Sequence, residues 1–209
     1  MAEIKIGCTT LGMCRTNTYF LHREGSTDIV VADPADRGGE LYKMFTDMGF
    51  TVRAILLTHG HFDHIWGVAE LKKLSGCRVY ACEKERELLN SSYLNVSENA
   101  GRPCEIDADV YLRDEETVTL ADITFKTLHT PGHTGGGASY YIEEAGILLS
   151  GDTLFAGSIG RTDFPTGSES TLIKSVETKL FVLPPETKVY PGHGDSTTIG
   201  FEKENNPFF

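Results

Sequence analysis

Three of the seven histidines of this 209-residue sequence fall within six residues, in the segment HGHFDH at positions 59–64. The segment directly follows a short apolar stretch that is typical of a β-strand. Imidazole and carboxylate groups are the usual protein ligands of borderline divalent metals. Where a strand ends, neighbouring side chains point in different directions. His59 and His61 can therefore bind one ion while Asp63 and His64 reach a second. Packing these groups together without an ion would be unfavourable, so a merely structural polar turn is the weaker interpretation.

Four later residues are further candidates, and each lies just beyond an apolar stretch. They are His129 and His133 in HTPGH, Asp152 in SGDT and His193 in YPGHGD. A glycine closely precedes His133, Asp152 and His193, which permits tight backbone geometry around a buried site. Taken singly, each residue would fit an ordinary turn. Together with the cluster, they supply a third histidine for each of two ions and a carboxylate to bridge them.

The elements that must position these side chains alternate between short β-branched stretches and helical patterns. The sequence predicts strands at 3–8, 17–21, 28–31, 53–57, 78–81, 118–120, 123–128, 139–142, 147–149 and 188–190, and another near Val110. It predicts helices at 39–48, 62–74 and 84–89, and one capped by Ser170 with Leu172, Ile173, Val176 and Leu180 on one face. The polar segment 84–105 is interpreted as a surface helix and loop, and a short tail closes the chain. This order predicts a layered α/β fold with a substantial sheet core.

The length and the charge of the chain limit its number of domains and its classes of binding partner. We expect one domain over residues 1–209, since domains average about 100 to 200 residues. Nineteen basic and thirty acidic side chains give a net charge of −11, which would repel nucleic acids and anionic membranes. The five cysteines include no CxxC motif and are expected to be reduced thiols. With no signal-like or membrane-spanning apolar segment, we expect a soluble, cytoplasmic protein.

The motifs THGHFDH, HTPGHT, SGDTLF and YPGHG, taken in this order, resemble those of the metallo-β-lactamase superfamily, in particular its short glyoxalase II-like (hydroxyacylglutathione hydrolase-like) branch. The resemblance implies a four-layer αββα sandwich with the metals at one edge, between two sheets. It also implies a set of ligands for two ions, in which Asp152 bridges. The first ion would be held by His59, His61 and His133, and the second by Asp63, His64 and His193.

Three polar residues near these motifs fall outside the implied ligand set. His129 is expected to have a supporting or structural role, and His22 a solvent-facing strand position. Asp195, two residues after His193, could orient a ligand or stabilise its turn. An aspartate rather than a cysteine at position 152 argues against a true β-lactamase within this resemblance.

The expected chemistry is hydrolysis by a hydroxide that bridges the two ions. Two divalent ions sharing a water lower its pKa towards neutrality, so the protein need not supply its own nucleophile. Asp63 and Asp152 would be the catalytic carboxylates of this centre. Thiolates leave readily, which suits a thioester such as S-lactoylglutathione, although this substrate follows mainly from the resemblance. Zinc is the first expectation for the metal, and iron or manganese also fits the ligand types.

The segment GSIGRTDFP at 157–165 should lie beside the cleft. Arg161 could bind a substrate carboxylate there, or it could pair with Asp163 as an internal brace. We expect no counterpart of the helical domain that helps larger glyoxalase II enzymes to bind glutathione, since sixteen residues follow His193 in this sequence.

Two alternatives to the dinuclear hydrolase stay open. The stretch GRTDF also resembles persulfide dioxygenases, whose single iron would here be held by His59, His133 and Asp152. A metal-binding protein without turnover is the other alternative, and it would have a closed coordination shell.

Overall fold

Two six-stranded mixed sheets form the centre of the protein, of which the computed structural model describes residues 2–209. The first sheet has the strand order β1-β2-β3-β4-β5-β6. Its strands are β1 (Ile4–Leu11), β2 (Thr16–Arg23), β3 (Asp28–Ala32), β4 (Thr51–Leu56), β5 (Arg78–Cys82) and β6 (Val110–Leu112). Strands β1 to β3 pair antiparallel, and β3 to β6 pair parallel.

The second sheet is built from the later part of the chain. Its strands are β7 (Thr117–Leu120), β8 (Ile123–His129), β9 (Ala138–Ile142), β10 (Ile147–Gly151), β13 (Lys188–Pro191) and β14 (Thr197–Thr198). They lie in the order β14-β13-β10-β9-β8-β7, and β10 pairs parallel with β13. A separate hairpin of β11 (Leu154–Phe155) and β12 (Ser158–Ile159) follows β10.

Helices cover the outer faces of both sheets. They are α1 (Gly38–Asp47), α2 (Phe62–Ile65), α3 (Val68–Ser75), α4 (Arg86–Leu89), α5 (Glu169–Ser175) and α6 (Ile199–Asn205). Helix α5 continues as a turn of π-helix over Val176–Leu180, and short 3₁₀ turns lie at Glu83–Glu85 and Glu143–Ala145. Within residues 2–209, no helix combines the length and the apolar character that crossing a bilayer requires.

Three apolar clusters show how the layers pack. One lies between the two sheets and includes Leu56 and Tyr140. A second packs the first sheet on α1 and α3, with Phe45 and Leu71 fully buried. The third packs the second sheet on α5 and the π-turn, with Leu172 among its buried residues. The arrangement confirms the predicted αββα sandwich, because each sheet has one face on its partner and the other on helices.

The eleven predicted strands are present, but the predicted helix at 62–74 is wrong as a single element. It is divided into α2 and α3 at Trp66 and Gly67. The Gly67 amide donates to the Pro34 carbonyl at 2.9 Å. A Cβ atom at Gly67 would lie 2.6 Å from that same oxygen, so the close approach of the loop after β3 requires glycine and interrupts the helix.

In the last third of the chain, the structure differs from the prediction in one helix cap and in several short elements. The cap of α5 is Ser168, whose hydroxyl accepts a hydrogen bond from the Thr171 amide, and not Ser170. The hairpin β11–β12 and the pair β14–α6 were not predicted. The tail is ordered because buried Glu202 of α6 accepts from the Gly157 amide at 2.9 Å, which ties this helix to the hairpin.

Candidate metal centre

The seven predicted ligands lie together at one edge of the sandwich. They occupy the segments that directly follow four strands of the two sheets, and two of them, Asp63 and His64, lie in helix α2. His59, His61, Asp63 and His64 follow β4, His133 follows β8, Asp152 follows β10, and His193 follows β13. The sandwich therefore brings together side chains that are up to 134 residues apart in sequence.

Three histidines form the first half of the centre. His133 Nε2 lies 3.2 Å from His59 Nε2 and 2.8 Å from His61 Nδ1. Burial, reinforced by the neighbouring imidazoles, lowers the pKa of all three rings, that of His61 to about 3. His133 Nδ1 donates to the Arg161 carbonyl at 2.7 Å. This bond leaves its Nε2 as the unprotonated atom facing the centre, as a metal ligand requires.

One carboxylate and two histidines form the second half. His193 Nε2 lies 3.3 Å and His64 Nε2 3.7 Å from Asp63 Oδ2. Burial alone would lower the pKa of His193, but hydrogen bonds to Asp152 and Asp63 outweigh it and raise this pKa to about 9. The hydroxyl of buried Thr16 donates to Asp63 Oδ2 at 2.8 Å and holds that carboxylate in place.

Asp152 lies between the two halves. Its Oδ2 is 3.5 Å from His133 Nε2 and 3.3 Å from His193 Nε2, and its Oδ1 is 3.4 Å from His64 Nε2. Asp152 Oδ1 and His64 Nε2 are buried, yet neither forms a hydrogen bond within residues 2–209. A buried donor or acceptor without a partner is costly, and a cation bound between these atoms would satisfy both. The nitrogen and oxygen donors fit zinc, iron or manganese.

Asp33 is a residue of the centre that sequence reasoning missed. Its carboxylate is buried and accepts from the Thr58 amide at 2.8 Å and the Thr58 hydroxyl at 2.6 Å. His64 Nδ1 lies 3.0 Å from Asp33 Oδ2, so a proton on Nδ1 leaves Nε2 free to face the second half. Asp33 also lies within reach of His59 and His64 as a possible ligand group. Its position directly after buried strand β3 was the available signal.

Glu85 is a second missed residue and connects the two ligand loops of the first half. Its side chain is 1% exposed, although the sequence predicted a surface segment here. Glu85 Oε1 accepts from the Gly60 amide at 2.9 Å, and the Thr134 hydroxyl donates to Oε2 at 3.1 Å. Gly60 separates two predicted ligands, and Thr134 directly follows a third. Burial raises the pKa of Glu85 to about 7, against the opposing effect of these donors.

Two groups of three predicted ligands are called triads below. The first triad is His59, His61 and His133, and the second is Asp63, His64 and His193. The other three polar candidates lie outside both triads. His129 Nε2 contacts the Gly135 carbonyl at 3.1 Å, which is consistent with a role in the loop. His22 is half-buried, and its ring lies 4.8 Å from that of Phe50. Asp195 is exposed, and its carboxylate forms no hydrogen bond with the described part of the chain.

An open cleft of about 430 Å³ leads to the centre and contains Arg161 in its wall. The Arg161 guanidinium binds Asp163 through two bonds of 2.7 Å, from Nε and Nη2, as in the predicted internal brace. It also lies 3.8 Å above the Phe164 ring. Its Nη1 is not used by Asp163, and the side chain is 55% exposed, so a carboxylate can still approach it from solvent.

The sequence profile of the metallo-β-lactamase superfamily matches residues 11–193. The chain belongs to this superfamily. It is therefore a member of a group of metal-dependent hydrolases, and the four-layer fold and clustered His and Asp donors agree with that membership.

Relatives with informative names cover nearly the whole chain. Hydroxyacylglutathione hydrolase GloC of Haemophilus influenzae is 37% identical over 182 residues, which are 85% of each protein. The solved structure named BLEG-1 B3 metallo-β-lactamase is 40% identical, has a TM-score of 0.92, and is matched over 98% of this chain and 99% of its own.

Two further solved structures of the same fold match nearly the whole chain. TTHA1623 in a di-iron-bound form is 34% identical with a TM-score of 0.86, over 97% of this chain and 100% of its own. ETHE1 from Myxococcus xanthus is 29% identical with a TM-score of 0.81, over 97% of this chain and 83% of its own.

Proposed function

We propose that this protein is a dinuclear metallohydrolase that cleaves thioesters, with S-lactoylglutathione or a related compound as substrate. The observation that carries the proposal is the convergence of two triads on one carboxylate, Asp152, at the end of an open cleft. The 37% sequence identity with the hydroxyacylglutathione hydrolase GloC supports a thioester as the substrate.

The first triad would hold one ion, the second triad another, and Asp152 would contact both. When bound, the ions would lower the pKa of water to supply a nucleophile at neutral pH and polarise the carbonyl. In the overall reaction, a water oxygen bonds to the carbonyl carbon and the C–S bond breaks. The products are a carboxylic acid and a thiol, whose low pKa favours its departure without a separate general acid.

The chain's own residues would orient this reaction. Asp33 and the Arg161 carbonyl fix which nitrogens of His64 and His133 face the centre, and Thr16 fixes the carboxylate of Asp63. We also propose that exposed Arg161 binds a carboxylate of the thiol carrier at the mouth of the cleft through its free Nη1. Zinc is the metal proposed first, with iron a close alternative because of the di-iron-bound neighbour.

The second candidate function is persulfide oxygenation at a single iron. The resemblance of the stretch GRTDF to persulfide dioxygenases favours it. His59 Nε2, His133 Nε2 and Asp152 Oδ2 also lie close enough together to share one ion. This candidate makes no use of the second triad, which is why we place it behind the hydrolase.

Metal analysis combined with three assays on the same preparation separates these functions. We expect about two equivalents of metal per chain, thioester hydrolysis, and loss of that hydrolysis on chelation. Oxygen uptake with glutathione persulfide at one iron per chain would favour the dioxygenase instead. A β-lactam substrate belongs in the panel because of the B3 metallo-β-lactamase neighbour, and we expect slower turnover of it than of thioesters.

The setting of the reaction is proposed on sequence grounds. A net charge of −11 favours a small-molecule substrate over nucleic acid or an anionic membrane. The five free cysteines fit a reducing compartment such as the cytoplasm.

A further inference from the structure

The wall of the cleft around the metal centre is mostly apolar. Twelve residues line the cleft, and five of them belong to the two triads and Asp152. Of the remaining seven, four are aromatic or aliphatic: Phe62, Phe155, Ile159 and Phe164. Apolar surface that lies beside reacting atoms contributes to binding in proportion to the apolar area that the ligand buries.

The aromatic rings lie directly beside predicted ligands of both halves. The Phe155 ring centroid is 6.0 Å from that of His193, and the Phe164 centroid is 5.5 Å from that of His61. A substrate carbonyl at the centre would therefore lie close to these rings. Phe155 and Phe164 are half-buried, so part of each ring is available to a ligand.

Polar groups that could recognise a small hydroxylated acyl group are few in this wall. Outside the predicted ligands they are Cys14, Ser158 and Arg161. Ser158 Oγ donates to the Ile159 carbonyl at 3.4 Å, and the Arg161 guanidinium binds Asp163 and covers one face of the Phe164 ring. A hydroxyl placed against the aromatic wall would lose its water without gaining a good partner, which costs binding energy.

We propose that the cleft selects thioesters with a bulky apolar acyl group, branched or aromatic. The inference rests on the proposed thioesterase function and refines its substrate, because it favours an apolar acyl group over the lactoyl group. The acyl part is assigned to the wall because the common biological thiol carriers are polar and charged. The carrier then lies at the open mouth near Arg161, while the acyl chain occupies the interior of the 430 Å³ cleft.

The expected selectivity follows from burial of methylene groups. Each fully buried CH₂ raises kcat/KM by about fourfold, until the cleft is filled. The isobutyryl and lactoyl groups offer a matched pair, because they differ by a methyl in place of a hydroxyl at similar size. After correction for the rates of uncatalysed hydroxide cleavage, we expect the isobutyryl thioester to be preferred by about tenfold.

The test measures kcat/KM of the metal-loaded enzyme for acetyl, lactoyl, isobutyryl, hexanoyl and phenylacetyl thioesters of one thiol, N-acetylcysteamine. The series is repeated with Phe155→Ala and Phe164→Ala. Tyr93→Ala is the control, since Tyr93 is an aromatic residue that is 64% exposed and lies outside the cleft. Circular dichroism and metal content establish that each variant is folded and loaded.

For the wild type, we expect kcat/KM to rise from the acetyl to the hexanoyl or phenylacetyl thioester. This increase in kcat/KM should be at least fivefold smaller in Phe155→Ala, in Phe164→Ala or in both. It should be unchanged in Tyr93→Ala. The acetyl rate should be unchanged in Tyr93→Ala, whose side chain lies outside the cleft. Preference for lactoyl over isobutyryl, or selectivity unchanged in both cleft variants, would overturn this inference while leaving the thioesterase intact. If no thioester is cleaved, including the acetyl one, the proposed function itself fails.

Discussion

Replacing Glu85 by glutamine should change how the stability of the metal-free protein depends on pH. Glu85 is fully buried and accepts hydrogen bonds from the Gly60 amide and the Thr134 hydroxyl. Burial raises its pKa from 4.5 to about 7. Because the folded state holds this proton more tightly than the unfolded chain, its contribution to stability is fully present below pH 4.5. It is lost progressively as the pH rises to about 7.

The size of the effect follows from linkage. One pKa unit corresponds to about 1.4 kcal/mol, so the whole rise from 4.5 to about 7 amounts to about 3 kcal/mol. The interval from pH 5 to pH 8 covers most of the span between the pKa of Glu85 in the unfolded chain, 4.5, and its pKa in the folded protein, about 7. The free energy of unfolding of the wild type should therefore fall by about 2 to 3 kcal/mol relative to that of Glu85→Gln, which has no proton to lose at this position.

The assay is urea unfolding of the chelated protein, followed by circular dichroism at pH 5 and pH 8. Metal must be removed because its binding to the folded state would add a pH-dependent stabilisation. Glu98→Gln is the control, since it removes the same side-chain charge from an exposed position. A difference between wild type and Glu85→Gln that stays constant from pH 5 to pH 8 would refute the reasoning. Glu85 would then not retain its proton in the folded protein.

Four further substitutions test the roles assigned to individual side chains. Thr16→Val should weaken binding of the second ion by about tenfold in equilibrium dialysis and spare the first, with Thr16→Ser restoring it; equal loss of both ions would contradict its placement at one half. Asp152→Ala should lose one or both ions in elemental analysis, and full retention of two ions would count against bridging. His129→Ala should keep the metal and most of the rate, and an emptied site would show that this residue was misassigned. Arg161→Ala should raise KM for glutathione thioesters more than for uncharged N-acetylcysteamine thioesters, whereas a lower unfolding midpoint with unchanged KM would indicate only the brace to Asp163.

The clustering of the seven predicted ligands could be predicted from the sequence, because it follows from residue type and spacing. Histidines that follow apolar strands, with a glycine close before, remain visible without knowledge of the packing. The layered fold could be predicted for a similar reason, since the alternation of strand and helix patterns limits the possible architectures. The internal brace between Arg161 and Asp163 was one of two open alternatives, and it is formed.

The residues that support the predicted ligands were not identified from the sequence, because their roles depend on contacts between distant segments. Asp33 and Glu85 lie 31 and 25 residues along the chain from the segments they hold, and acidic residues are usually exposed. The break between α2 and α3 at Gly67 depends on a contact with the Pro34 carbonyl. The spacing of apolar residues along the helix contains no information about that contact. The cap at Ser168 was missed because two serines flank Glu169, and local sequence favours neither.

Anomalous diffraction from crystals of the purified protein, collected at the absorption edge of the metal found by elemental analysis, tests the dinuclear centre most directly. The account predicts two peaks a few ångströms apart, one within coordination distance of His59, His61 and His133, and the other near Asp63, His64 and His193. The carboxylate of Asp152 should contact both peaks. A single peak in fully active thioesterase, or peaks away from these side chains, would contradict it.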